Sequence, residues 1–84
     1  MDRNEIYQTV SEILSRSLLT TKKINEKDRL IDDLGLDSIG FVELGTGLEE
    51  KYLIDISDEV LESLLTVEMV IDAVLAAPSY ATVD

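Results

Sequence analysis

Apolar residues along the chain recur at intervals of three and four and divide it into helices joined by one long connection. The first stripe, Ile6, Val10, Ile13 and Leu14, follows Asp2-Arg3-Asn4-Glu5, where Asp2 is placed to cap the first turn and Glu5 to reach back in a capping-box pattern. That predicts a helix ending near Ser17. Leu18 to Asp37 then reads as connection, with Lys22, Lys23, Asn25 and Asp28 in solvent and Ile24, Leu30, Ile31, Leu34 and Leu36 anchoring it to the core, so that a long loop is nonetheless ordered. A second helix runs from about Ser38 to Tyr52. Ser57, with Asp58 and Glu59 behind it, suits the start of a short third helix, because a hydroxyl cap and first-turn carboxylates both satisfy the free N–H groups there. Thr66 opens the fourth, whose buried stripe is Val67, Val70, Ile71, Val74 and Leu75 and whose stop is Pro78. The pattern predicts an all-α bundle of three main helices plus one short helix, with a long loop between helices one and two. Residues 1–77 form a single domain in this reading, and residues 78–84 a flexible tail.

Rotating helix two by about 100° per residue from Ser38 sorts its faces. Phe41, Leu44, Gly45, Leu48 and Tyr52 share one side and make an ordinary core stripe. Ile39, Val42 and Thr46 fall on the other, near the serine and fenced by Glu43, Glu49 and Glu50. Residue pattern alone leaves two readings of Ile39 and Val42: they pack against helix three or the long loop, or they stay outside and meet a partner. Gly40, Gly45 and Gly47 each cost a helix interior about 0.8–1 kcal/mol relative to alanine. Gly45 lies on the core stripe, so its missing side chain either leaves room for a tethered apolar group or lets helix one or four come close. Gly40 and Gly47 point elsewhere, and simple tolerance or helix flexibility accounts for them.

Composition narrows the chemistry. The chain has 84 residues, enough for one small core and too few for a second domain. It contains no His and no Cys, which removes disulfides, thiolate or imidazole metal sites and the usual general base. No metal site is expected. Neither a leader-like apolar core nor an apolar run long enough to span a bilayer is present, so a cytoplasmic protein without membrane insertion is expected, as a monomer. Eighteen acidic against seven basic residues give a net charge of −11, unevenly placed: residues 1–30 sum to +1 and residues 31–84 to −12. Nucleic acid is a poor partner for such a surface and a basic patch on another protein a good one.

The most informative residue is Ser38, in Leu34-Gly35-Leu36-Asp37-Ser38-Ile39 at the loop-to-helix junction. A serine there could simply be the N-cap, but Asp37 is equally able to cap and would leave the hydroxyl free. Asp37-Ser38-Ile39, Val42-Glu43-Leu44 and Leu48-Glu49-Glu50, in a small acidic helical chain, resemble the acyl carrier proteins, and the resemblance extends more weakly over almost the whole length. It implies that Ser38 carries a covalent 4′-phosphopantetheine arm, with Asp37 as a flanking contact for the transferase or its magnesium, and that Asp37, Ile39, Val42, Glu43, Glu49 and Glu50 meet partner enzymes.

The function implied is that of a discrete acyl carrier protein of polyketide or fatty-acid type, holding acyl intermediates as thioesters, with no turnover of its own. Its partners would be a phosphopantetheinyl transferase, an acyltransferase or adenylating ligase that loads the arm, and a downstream synthase or transferase with a basic docking patch. Asp37-Ser38-Ile39-Gly40 is similar to D-alanyl and other aminoacyl carriers as well, so an amino-acid cargo stays open, whereas a peptidyl carrier is disfavoured because only Gly35 stands where such domains more often show a glycine pair. An unmodified acidic adaptor is the alternative of another class. A calcium loop starting at Asp32 fails because Leu34 and Leu36 occupy ligand positions, and a serine hydrolase fails for want of His and of a Gly-x-Ser-x-Gly elbow.

Overall fold

The computed structural model describes residues 2–79. Four helices follow one another: α1 (Arg3–Leu18), α2 (Ser38–Tyr52), α3 (Asp58–Ser63) and α4 (Val67–Ala76). Each begins on the side chain that the sequence offers as a cap. Asp2 accepts from Asn4 N, Asp37 from Gly40 N, Ser57 from Val60 N and Thr66 from Met69 N, so one otherwise unpartnered donor is satisfied at every N-terminus.

α1 packs against α2 and α4. Ile6, Val10 and Leu14 of α1, Leu44 and Leu48 of α2, and Val67, Val70, Ile71 and Val74 of α4 are fully buried, as helical periodicity predicts. Leu75, assigned to the buried stripe by its spacing, is 44% exposed: the stripe is centred on Val70, Ile71 and Val74, and Leu75 falls on its shoulder. α1 and α2 are antiparallel in close register. Ser17 Oγ donates to Glu43 Oε1 at 2.7 Å, Tyr52 Oη donates to Thr9 Oγ1 at 2.9 Å, and a Cβ on Gly47 would lie 3.0 Å from Ile13 Cδ1.

Gly47 is therefore the position where α1 comes close, and tolerance is not its explanation. Gly45 instead faces Leu61 of α3, whose Cδ2 would lie 3.2 Å from an added Cβ, and Gly40 is buried beneath Leu36, whose Cδ1 would lie 2.5 Å away. Neither α1 nor α4 occupies the Gly45 notch. α3 contributes no buried residue, and its half-buried Leu61 packs against the core there.

The long loop is ordered largely through its backbone. Leu30 N–H donates to Leu65 O (2.9 Å), Val67 N–H to Asp28 O (3.1 Å) and Glu68 N–H to Glu26 O (2.9 Å), so the loop also satisfies donors at the start of α4. The Tyr7 hydroxyl donates to Ile24 O, and Arg3 joins Asp72 (2.7 Å) and Glu26 (2.9 Å), partners that hold the Arg3 guanidinium above its ordinary pKa. Ile24, Leu30 and Leu36 are buried and Leu34 packs against the core as expected, but Ile31 is 61% exposed. The chain makes a tight turn here, Gly35 N–H donating to Ile31 O; Leu30 and Leu34, four residues apart, take its inner side and leave Ile31 outside.

Two helix ends depart from the usual chemistry. α1 and α2 each close on a leucine in the left-handed region, Leu19 (φ 53°) and Leu53 (φ 54°), where glycine is the common occupant. After α1, Leu19 N–H donates to Arg16 O (3.3 Å) and Thr20 N–H to Ser15 O (3.0 Å), which satisfies the last carbonyls but places a branched side chain in a conformation that costs roughly 1–2 kcal/mol. Pro78 and Ser79, expected to begin a loose tail, are joined to the α2–α3 connection: Asp55 N–H donates to Pro78 O (2.9 Å) and Ser79 bridges to Ile54. The rest of that expected tail, residues 80–84, lies outside the described residues.

Candidate functional site

The segment that delivers the chain to α2 is built to stop abruptly. Arg29 N–H donates to Asp33 Oδ2 (2.7 Å) and the Arg29 guanidinium approaches the same oxygen (3.4 Å); that backbone bond, then the guanidinium, holds the Asp33 carboxyl below the usual carboxylate range. Gly35 turns the chain at φ 71°, which a glycine adopts without strain, and Leu36 N–H returns to Leu30 O (2.8 Å) while its side chain enters the core. Asp37 follows in extended conformation and caps α2, its Oδ1 accepting from Gly40 N at 2.8 Å and its carbonyl from Phe41 N at 2.9 Å.

Ser38 is thus the first helical residue and not the cap. It is exposed, and among the described residues no hydrogen bond engages its hydroxyl. The Ser38 and Ile39 N–H groups at this terminus point along the helix axis without intrahelical acceptors, and the positive end of the helix dipole lies there, so a negatively charged substituent on the serine oxygen is electrostatically favoured. A covalently attached phosphodiester fits these residues: the oxygen is accessible and uncommitted, and its charge is offset.

Of the other residues singled out in the sequence, Ile39 and Val42 are 69% and 60% exposed, which excludes packing against α3 or the loop. Asp37, Glu43 and Glu50 are also at the surface. Glu43 accepts from Ser17 of α1, and Glu50 borders the shallow groove between α1 and α2 whose lining includes Glu12 and Gly47. Glu49 is different. It is half-buried and its Oε2 accepts from Ile56 N at 3.0 Å, so one oxygen already secures the α2–α3 connection. This tether carries no sequence signature beyond a glutamate about three turns into α2, and sequence reasoning missed it, as it missed Leu19, which is 92% exposed at the end of α1.

Residues 31–84 carry thirteen carboxylates and one basic residue, Lys51; Asp32 and Asp33 lie beside Arg29 and Glu68 and Asp72 beside Arg3, and the remaining carboxylates have little to gain from one another. Raising the salt concentration from low to physiological, or adding millimolar divalent cation, is expected to raise the melting temperature by screening that repulsion. Thermal denaturation followed by circular dichroism checks this, and an unchanged or lowered midpoint contradicts a self-repelling surface.

A family profile described as the phosphopantetheine attachment site matches residues 4–74. Among curated relatives, an acyl carrier protein of Saccharopolyspora erythraea is 34% identical over 76 residues, covering 89% of this chain and 80% of that protein. One from Wolinella succinogenes is 36% identical over 63 residues, 74% of this chain and 83% of that protein. The solved structure of a candidate acyl carrier protein from Mycobacterium tuberculosis superimposes with a TM-score of 0.79 at 31% identity, covering 83% of this chain and 95% of that one.

Proposed function

The chain belongs to the acyl carrier protein family, whose members bear phosphopantetheine, and on that footing we propose that Ser38 is the attachment residue and that the cargo is an acyl intermediate of polyketide or fatty-acid type. The observation that carries the reading is the exposed, uncommitted Ser38 hydroxyl beside a separate cap, Asp37. When attached, the arm supplies the thiol that the polypeptide lacks, on which cargo is held as a thioester.

Every other task falls to the chain's own residues. Asp37 fixes the start of α2 and keeps Ser38 from being consumed as a cap. The first-turn N–H groups lower the cost of negative charge at the serine oxygen. Acyl carrier proteins are carriers rather than catalysts and work with transferases and synthases; for this chain, Ile39 and Val42 would enter a shallow apolar groove on such an enzyme, while Asp37, Glu43, Glu50 and the free oxygen of Glu49 meet its Arg and Lys rim. Charge complementarity of this kind steers encounter and leaves docking weak enough to release, while the tether supplies a high effective concentration once docked. Among the described residues no helix is long and apolar enough to cross a membrane.

Loading the phosphopantetheine-bearing protein discriminates cargo. Incubation with acyltransferases and acyl-coenzyme A donors is expected to give a hydroxylamine-labile acyl adduct by intact mass. Labelling only by adenylating ligases with ATP and amino acids would overturn the acyl assignment in favour of an aminoacyl carrier.

A further inference from the structure

Arg3 and Arg29 are ion-paired, the first with Glu26 and Asp72 and the second with Asp32 and Asp33. Arg16, Lys22 and Lys23 are exposed and, among the described residues, form no ion pair, although the chain holds eighteen carboxylates. Asp33 lies within the field of Lys22 but is already bonded to Arg29. The three cations stand along a trough between the outer face of α1 and the start of the long loop. It consists of two hollows that share Ser11, Glu12 and Ser15, one bordered by Arg16 and Thr20 and the other by Lys22 and Lys23. The Tyr7 hydroxyl donates to Ile24 O and fastens the loop to α1 there, so the walls are held before anything binds. Ser11 and Ser15 stand two residues either side of Ile13, about 160° around α1 from the side chain that faces Gly47, so the trough opens away from α2. Residues 6–25 contain one carboxylate, Glu12, against these three cations, a local charge of +2 in a chain of net −11.

We propose that this trough docks a short acidic segment of a partner protein, on a surface separate from α2 and whether or not Ser38 bears the arm. Charge complementarity identifies the occupant: Arg16, Lys22 and Lys23 are cations without internal partners, and the Ser15 hydroxyl beside them is a donor that engages no hydrogen bond among the described residues. A continuous polyphosphate such as nucleic acid fits less well, because it would run past three cations onto a surface of strongly negative charge. Exposed ion pairs are individually weak, so the contact localises and orients the carrier without locking it in place. Since the trough and α2 face apart, an enzyme with both a basic groove and an acidic segment can hold the protein through α1 while α2 engages and releases, which raises the effective concentration of the α2 surface at that groove.

The test follows amide chemical shifts of the full chain by NMR during titration with a short Glu-Gly peptide and, separately, with a Gln-Gly peptide of equal length. The Glu-Gly peptide is expected to shift amides of residues 7–24 and to leave the first turn of α2 unmoved, and the Gln-Gly peptide to shift none. The double variant Lys22→Gln, Lys23→Gln, altered only at exposed side chains, is expected to keep its melting temperature and to bind the Glu-Gly peptide about fivefold more weakly. No shift at all, shifts centred on Arg3 and Arg29, or an undiminished response in the double variant overturns the assignment. Tighter binding of a single-stranded oligonucleotide than of the Glu-Gly peptide overturns it too, by making the trough a polyphosphate site. Phosphopantetheine transfer to the double variant is expected at the wild-type rate, and a selective loss there would merge the trough with the α2 surface and end its separate role. A wild type that is never modified removes the Ser38 reading and leaves the trough untouched.

Discussion

Leu44→Ala is expected to lower the melting temperature by about 12–24 °C, against almost no change for Val42→Ala two residues earlier on the same helix. Leu44 is fully buried among side chains of the core, and truncating such a leucine removes its transfer free energy and leaves a cavity that neighbours only partly fill, about 3 kcal/mol in sum. A domain of 84 residues holds roughly 4–13 kcal/mol of net stability, so one side chain accounts for a large share of it. The conversion to temperature follows from the small unfolding entropy of so short a chain, roughly 4–8 °C for each kcal/mol. Val42, by contrast, is 60% exposed, and replacing a β-branched residue with alanine on a helix surface changes stability by no more than about 0.5 kcal/mol. Differential thermal denaturation of the two variants checks the inward and outward faces of α2 together. Equal destabilisation would mean that Val42 is packed in solution and unavailable to a partner.

Much of this fold is written locally. Asp2, Asp37, Ser57 and Thr66 announce four helix starts because capping depends on a side chain reaching a backbone donor two or three residues ahead, a distance visible in sequence. The faces of α2 are legible for the same reason: rotation about a helix fixes which residues share a side, so Leu44 and Leu48 go in and Ile39 and Val42 go out. What was not legible depends on partners brought from far along the chain. Which side chain fills the space over Gly45 and which lies over Gly47, Leu61 and Ile13 respectively, is settled by helix packing. The loop is pinned to Leu65, Val67 and Glu68 through main-chain groups, which every residue possesses and none advertises. Leu19 and Leu53 run against local preference altogether, since a leucine gives no hint that the chain will turn left-handed at it.

Within the candidate site, the pairing of a capping aspartate with a spare serine was the readable part. Glu49 was not: its bond to Ile56 N crosses from α2 to the following loop, and only the assembled structure shows that one of its oxygens is already engaged. The acidic fence around Ile39 and Val42 is most exposed at Asp37, Glu43 and Glu50, although Asp37 and Glu43 also each engage one oxygen, with Gly40 N and Ser17 Oγ.

The largest functional effect is expected at Ser38, where substitution by alanine should abolish attachment of the arm and with it every carrier activity while leaving the fold intact. Its hydroxyl is exposed and takes no part in an internal hydrogen bond, so removing it takes nothing from the structure; Asp37 continues to cap α2, and alanine is favourable in the first turn. Other serine hydroxyls are poor substitutes. Ser17 donates to Glu43, Ser57 caps α3, Ser63 donates to Val60 O, Ser79 to Leu53 O, Ser11 Oγ is buried, and Ser15 is half-buried within α1. The most direct measurement is therefore intact mass of wild type and Ser38→Ala after incubation with coenzyme A, magnesium and a broad-specificity phosphopantetheinyl transferase. One phosphopantetheine increment is expected on the wild type, located by peptide fragmentation on Ser38, and none on the variant. A wild type of unchanged mass, or a variant that gains the same increment, contradicts attachment at Ser38.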